Sequence, residues 1–413
     1  MQRWSITVLF GTAWVTSACG EPGGTPATTV WMPTASNADG DDADADGEDG
    51  DNTASDDDDS GDPSGNDDSG DPSAHTGNDD DVTGDAPPGD VPELGSTFTV
   101  IATAADGLDI PRDLQFAPDH PDQLWTANTG FHGVVIITDP GTTQQQAEAR
   151  ADPYGQHFMM KVSSIAFGAN NTFASCQESR DEWNGVSQPP DDFMGPTLWN
   201  ADLDVFAIYE GSEGSHLDML HQSPLCMGIA WESGNAYWAF DGLNAHLVRY
   251  DFKSDHGPGG TDHSDGSIRR YLNAVVSRRE DVPGHMVIDP DTRTLFVADT
   301  GTGRVMALDI DSGASNGQLS GNWDGVGDYS GWDGATWEPV IDGLSAPSGL
   351  AIADGRLFVG DFDTGEIIAV DTGGDELGRV STGAIGLTGI TVGPEGQLWY
   401  VDAIANEVVR VDP

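Results

Sequence analysis

Six times between residues 95 and 413 the chain repeats one pattern. An apolar–x–apolar triplet is followed by a turn, by a second apolar run that usually ends in Asp or Asn, and by a third run closing at Asp. The triplets start at Asp113, Ser164, Gly228, His285, Gly349 and Gly389. They recur at intervals of roughly 40 to 64 residues, in the range of repeat architectures. The second runs end at Asn128, Cys176, Asp241, Asp299, Asp361 and Asp402. Runs this short, punctuated by Gly, Pro and Asp, predict strands rather than helices. One such unit cannot bury both faces of its sheet, so each copy needs the next. Radially repeated small sheets are the arrangement that satisfies all of them, so the fold class expected is all-β, a six-bladed β-propeller. The recurrent Asp has a structural explanation, because Asp and Asn side chains bond nearby backbone in turns.

Fourth strands fit Gln145–Ala149, His216–His221, Ser267–Leu272, Trp337–Ile341 and Glu376–Val380. The last repeat stops at Asp412 and has none of its own. Ser96–Ile101, ahead of the first repeat, alternates as a strand should and is expected to complete the last blade and shut the ring.

At this point a family resemblance is specific. LFVADTGTGRVMALD (Leu295–Asp309) and LFVGDFDTGEIIAVD (Leu357–Asp371) resemble NHL repeats, and the set resembles a six-bladed NHL-type propeller over about residues 95–413. In a propeller the first strands line the central channel. Their starts lie at the same end as the turns after the second strands, since the two run antiparallel. Three of the channel starts are Gly, which leaves Asp113, Ser164 and His285 as the polar ones. Asp113 and His285 are the candidate catalytic pair, and with Asp299 they are the candidate ligands of a divalent cation, calcium or zinc. The bland alternative is that they bond water and neighbouring backbone. Gluconolactonase-like propellers are similar and imply a metal held by Glu, Asn and Asp, but no Glu-Gly-Pro precedes the first strand here. Peptide amidating and streptogramin lyases are similar propellers that use several axial His, and here His285 alone starts a first strand.

Two other features bear on binding. The loop Glu178–Pro196 is the longest on the face of the second-strand turns and offers Arg180, Trp183 and Phe193, residue types suited to recognition. Asp251–Asp265, with His256 and His263, and the Asp/Gly-rich Gly313–Trp337 read as solvated loops on the other face. Cys176 and Cys226 map near one another between the second and third blades. A disulfide and a pair of buried thiols remain equal readings.

The front of the chain differs in kind. Residues 1–19 carry one positive charge, an apolar stretch from Ile6 to Val15, then small residues, the layout of a secretory signal. Val15-Thr16-Ser17-Ala18-Cys19 resembles a bacterial lipobox, which implies lipidation of Cys19 and a place in the cell envelope, at the outer membrane or cell surface. Residues 20–94 hold roughly a third of the 70 acidic residues and no Lys or Arg, in duplicated Asp/Gly/Ser/Pro segments. Such a segment cannot bury enough apolar area to fold and is expected to be an extended, disordered spacer. The formal charge of −54 makes nucleic acid an unsuitable partner.

Two functions follow as expectations. One is a membrane-anchored extracytoplasmic propeller, monomeric, that binds a protein, glycan or small ligand without turnover. The other is a metal-dependent lactonase or lyase of the gluconolactonase-like type.

Overall fold

The computed structural model describes residues 94–180, 194–208 and 213–413. The signal and lipobox with Cys19, nearly all of the acidic segment, Trp183 and Phe193 lie outside the described residues. The protein is a six-bladed β-propeller. Each blade is built on a four-stranded antiparallel meander, with the first strand innermost.

The first blade runs Pro111–Ala117, His120–Asn128, Gly133–Thr138 and Gln146–Arg150. The innermost strands of the next five are Val162–Phe167, Cys226–Ser233, Met286–Asp289, Pro347–Ala353 and Leu387–Val392. The last blade is completed by Thr97–Ala102, which pairs antiparallel with Glu407–Asp412. The start and end of the domain therefore share one sheet, as expected.

Six apolar clusters lie between the blades, one at each junction of the ring. Trp125, Phe173, Trp199 and Phe206 fill the first junction. Leu124 and Val135 meet Trp399 and Val408 at the junction that closes the circle. Side chains alternate along each strand, so Leu124 serves one neighbour and Trp125 the other. No blade keeps a core of its own, which is why the pattern must be repeated.

The turn carboxylates act as the sequence suggests, and they reach further. Asp361 accepts from Asp363 N and Thr364 N in its own turn, and from Ser345 N and Ala346 N just before the inner strand of its blade. Asp402 does the same with Ile404 N, Ala405 N and Ile385 N. One buried side chain thus fixes a turn and the incoming segment together.

The structure departs from the sequence reading at Gly313–Trp337. This stretch is not a solvated loop. It forms a hairpin, Ala314–Gln318 with Asp328–Asp333. Asp328–Asp333 then pairs in parallel with Ser267–Val275, the outer strand of the third blade, making a six-stranded sheet. The insertion leaves one blade to widen its neighbour, held by Val326 and Tyr329 buried among Tyr250, Phe252 and Ile268.

Candidate functional site

The inner strands bring Asp113, Ser164 and His285 to one place in the channel, all three nearly fully buried. Ser164 Oγ donates to Asp113 Oδ2 at 2.8 Å. His285 Nδ1 lies 3.3 Å from Ser164 Oγ and 3.6 Å from Asp113 Oδ2. His285 Nε2 is 2.9 Å from the Arg112 carbonyl, which can only accept, so Nε2 carries a proton. Three blades contribute one side chain each.

Serine, not histidine, is the middle member of this chain of bonds. In a hydrolytic triad the imidazole sits between hydroxyl and carboxylate and takes the hydroxyl proton. Here the hydroxyl gives its hydrogen to the carboxylate directly. Asp113 also accepts from Leu114 N at 2.8 Å and from Ile165 N at 2.9 Å. Three of its roughly four acceptor positions are filled. What the cluster has left to offer is acceptor capacity at Asp113.

Asp299 is not brought to this group. Its carboxylate takes Ser277 N at 2.6 Å, Thr302 Oγ1, and Arg304 Nη2 at 2.8 Å, the turn-fixing role of the other repeat aspartates. Among the described residues, no three of His, Cys, Asp and Glu converge as ligands of one metal ion. Asp113 and His285 are ligand types that zinc accepts, but the donor set is short of the usual three protein ligands.

The cluster ends a cavity of about 210 Å³. Ile229, Met286, Leu350 and Ile390 line it together with Gln115 and Thr391, and most of the exposed lining is polar. The inner strands are buried at their starts and half-exposed at their ends, as in Leu387–Val392 and Pro347–Ala353. Above the cluster the channel is covered by ion pairs. Arg112 Nη1 meets Glu178 Oε2 at 2.7 Å with both side chains only 2% exposed, and Arg112 Nη2 meets Asp281 Oδ1 at 3.0 Å. Arg278 Nη1 holds the other Glu178 oxygen at 2.8 Å. The repeat pattern predicts the cluster at the mouth beside the second-strand turns. The structure sets it beneath a lid of salt bridges, with its cavity running toward the opposite face. Arg112 and Glu178 gave no sign of this, because their pairing spans two blades.

Cys176 and Cys226 are bonded, with Cα atoms 5.4 Å apart. The link joins the top of the second blade to the inner strand of the third. Arg180 lies on the face of the salt-bridge lid, next to Ser179.

No protein-family model matches the chain, and none of the curated proteins matches it in sequence. Among solved structures the chain is similar to one described as an auxiliary nutrient binding protein from Bacteroides thetaiotaomicron, with 9% identity and a TM-score of 0.49, over 73% of this chain and 68% of that one. It is also similar to a virginiamycin B lyase from Staphylococcus aureus, with 10% identity, a TM-score of 0.43, and coverage of 76% and 98%. A third is a calcium-binding protein, regucalcin, from Agrobacterium tumefaciens, with 13% identity, a TM-score of 0.45, and coverage of 76% and 93%. At these values the likeness carries no assignment of substrate or partner.

Proposed function

We propose that the protein is an extracytoplasmic binding propeller that takes a small ligand into its channel. The observation that carries this is the cavity itself, lined by aliphatic side chains among a larger share of polar atoms and ending in the Asp113–Ser164–His285 cluster. A space of about 210 Å³ is below the usual range for drug-sized ligands. The ligand is therefore small. The cluster offers acceptors, so the ligand's head is a donor, such as a hydroxyl, amide N–H or ammonium group. The mostly polar lining suits a compact, largely polar molecule, with Ile229, Met286, Leu350 and Ile390 offering limited apolar contact, and the surplus of negative charge favours a neutral or cationic molecule over an anion.

The test is a thermal-shift screen of small alcohols, amides and amines on three proteins. Wild type should be stabilised by a subset. Val287→Trp, which fills the half-exposed end of the channel, should lose that response, and His285→Ala should weaken it. A response that survives Val287→Trp unchanged would rule the channel out.

A second reading, the metal-dependent lactonase or lyase, is favoured by one distance set. Asp113 Oδ2, Ser164 Oγ and His285 Nδ1 form a triangle with edges of 2.8, 3.3 and 3.6 Å. Donors around one small cation stand about this far apart. Metal analysis decides between the readings: stoichiometric calcium or zinc that is lost with His285→Ala favours the enzyme.

The sequence adds a location to the proposal. Cys19 would be lipidated, residues 20–94 would space the propeller from the envelope surface, and the Cys176–Cys226 bond suits an oxidising compartment. Sensitivity of maturation to globomycin tests the anchor.

A further inference from the structure

The channel cavity holds a second group of polar atoms beyond the Asp113–Ser164–His285 cluster. Gln115 and Thr391 line it too, and both are half-buried where Asp113 is nearly fully buried. Asp113 and Gln115 alternate with Leu114 on the strand Pro111–Ala117, so they point to the same side of it. The neighbouring inner strand repeats the step: Ile165 N donates to Asp113 Oδ2 and Phe167 N donates to Gln115 Oε1. From the other side, Gly389 stands against Asp113. A Cβ on Gly389 would lie 2.8 Å from the Asp113 Cα and 3.1 Å from its Oδ1. Thr391, one strand repeat further along, is therefore level with Gln115. The channel thus carries two polar levels, ~6.6 Å apart.

The two levels differ in what they offer. At the inner level Asp113 has acceptor capacity left after Leu114 N, Ile165 N and Ser164 Oγ. Arg112, its neighbour in sequence, is turned away to Glu178 and Asp281. His285 Nδ1, at 3.6 Å, is beyond direct hydrogen-bond reach. A carboxylate buried with no cation beside it is unfavourable, and an ammonium group would relieve this. At the outer level the Gln115 amide can face only one way, because Phe167 N–H requires the oxygen. Its Nε2 and Thr391 Oγ1 have no hydrogen-bond partner among the described residues. The outer level therefore offers N–H and O–H donors and no charge.

Resting on the reading that the channel is the binding site, we propose that its ligand carries an ammonium group at one end and an uncharged oxygen acceptor, hydroxyl or carboxamide, at the other. The ammonium meets Asp113, and the oxygen meets Gln115 Nε2–H and Thr391 Oγ1–H. Three chain bonds span at most ~3.6 Å, so the ~6.6 Å step calls for about five bonds between nitrogen and oxygen, as in a four-carbon amino alcohol. The acidic balance of the chain favours an uncharged oxygen over a carboxylate at the outer end.

Titration calorimetry of the full chain with 4-aminobutan-1-ol tests this, with butylamine, 1,4-butanediol, 2-aminoethanol and 6-aminohexan-1-ol as comparison probes. The four-carbon amino alcohol should bind about tenfold or more tightly than butylamine or butanediol, since each of those lacks one end. The shorter and longer amino alcohols should each be weaker by several-fold. Gln115→Glu keeps an oxygen for Phe167 N but trades the outer donor for an acceptor. It should erase the advantage of the amino alcohol over butylamine and raise 1,4-diaminobutane above both. Thr391→Val should weaken the amino alcohol several-fold and leave butylamine as it was. Unliganded thermal midpoints check that both variants fold, and the wild-type series decides the matter without them. If butylamine binds and Val287→Trp abolishes it, but the second functional group and the chain length make no difference, the channel reading stands and the two-level inference falls. If no probe binds, or if binding survives Val287→Trp, both fall.

Discussion

Thr99 Oγ1 donates to Asp412 Oδ2 across 313 positions of sequence. This bond is one rung of the sheet in which the first strand of the domain completes the last blade. Thr97, Phe98, Thr99 and Val100 face Asp412, Val411, Arg410 and Val409 in register. Phe98 packs on the cluster between the fifth and sixth blades, and Ala102 enters the cluster between the sixth and first. Deleting Ser96–Ala102 or Asn406–Pro413 removes one side of both. We expect either deletion to abolish the single cooperative melting transition, because every blade borrows its core from its neighbours. Calorimetry of the truncated chain checks this. A cooperative transition near the wild-type temperature would contradict ring closure.

Asp113 does more than meet Ser164. Inner strands of a propeller present their free edges to the channel, and a free edge leaves N–H groups to satisfy. Asp113 accepts from Ile165 N, and Gln115 Oε1 accepts from Phe167 N at 3.2 Å, so the first blade caps the inner edge of the second. Asp113→Ala strands Ile165 N, Leu114 N and Ser164 Oγ together. The expected loss is about 3 kcal/mol or more, the order of three buried donors left unpaired at about 1 kcal/mol or more each. Asp113→Asn keeps one acceptor oxygen and should cost less. Urea denaturation of the two variants gives the comparison. Equal stability of Asp113→Ala and wild type would mean that water replaces the carboxylate freely.

The repeated runs made the blades legible, because period-two apolar runs closed by Asp specify strand, turn and register together. Trp337–Ile341 was found to the residue. The convergence of Asp113, Ser164 and His285 was legible for the same reason, since equal positions in equal repeats must face the axis. The hairpin of Ala314–Gln318 was not. All five of its first-strand residues are exposed, so it has no apolar alternation to read. Its place in the third blade depends on a parallel pairing far off in sequence. The Arg112–Glu178 lid was hidden too, because each residue alone reads as a surface charge, and only burial in the assembled ring makes them a pair.

The Cys176–Cys226 bond closes a loop with a sequence separation of 50. Chain-entropy reasoning assigns such a link about 4 kcal/mol through its restriction of the unfolded chain. We expect Cys176→Ser with Cys226→Ser to lose about 2–4 kcal/mol in urea, and reduction of wild type to do the same. Ser163 Oγ lies between the carbonyls of both cysteines and donates its one hydrogen to the nearer, Cys226 O at 2.7 Å, with Cys176 O at 3.1 Å, so local geometry should persist without the sulfurs. Identical denaturation midpoints with and without reductant would count against a stabilising link.

His216 gives the fold an acid limit. Burial pulls its pKa from 6.5 down to about 4, outweighing the Glu213 carbonyl and the charge of Asp152, both of which raise it. The ring stacks on Phe158, centroids 3.8 Å apart, and Nδ1 donates to the Glu213 carbonyl at 2.7 Å. The folded value lies below the unfolded one, so the unfolded chain takes the proton first. The stabilisation is fully present above pH 6.5 and is lost as pH falls toward 4, by about 3 kcal/mol from this group. His263 works in the opposite sense. Burial lowers its pKa, but the hydrogen bond and charge of Asp218, 2.6 Å away, more than compensate and leave it raised. Its contribution is present below pH 6.5 and fades as pH rises through its folded value. Urea midpoints measured from pH 4 to 8 should fall on the acid side in wild type. His216→Gln should flatten that acid limb, and His263→Gln should flatten only the loss at higher pH. An acid limb unchanged in His216→Gln would assign the sensitivity to another group.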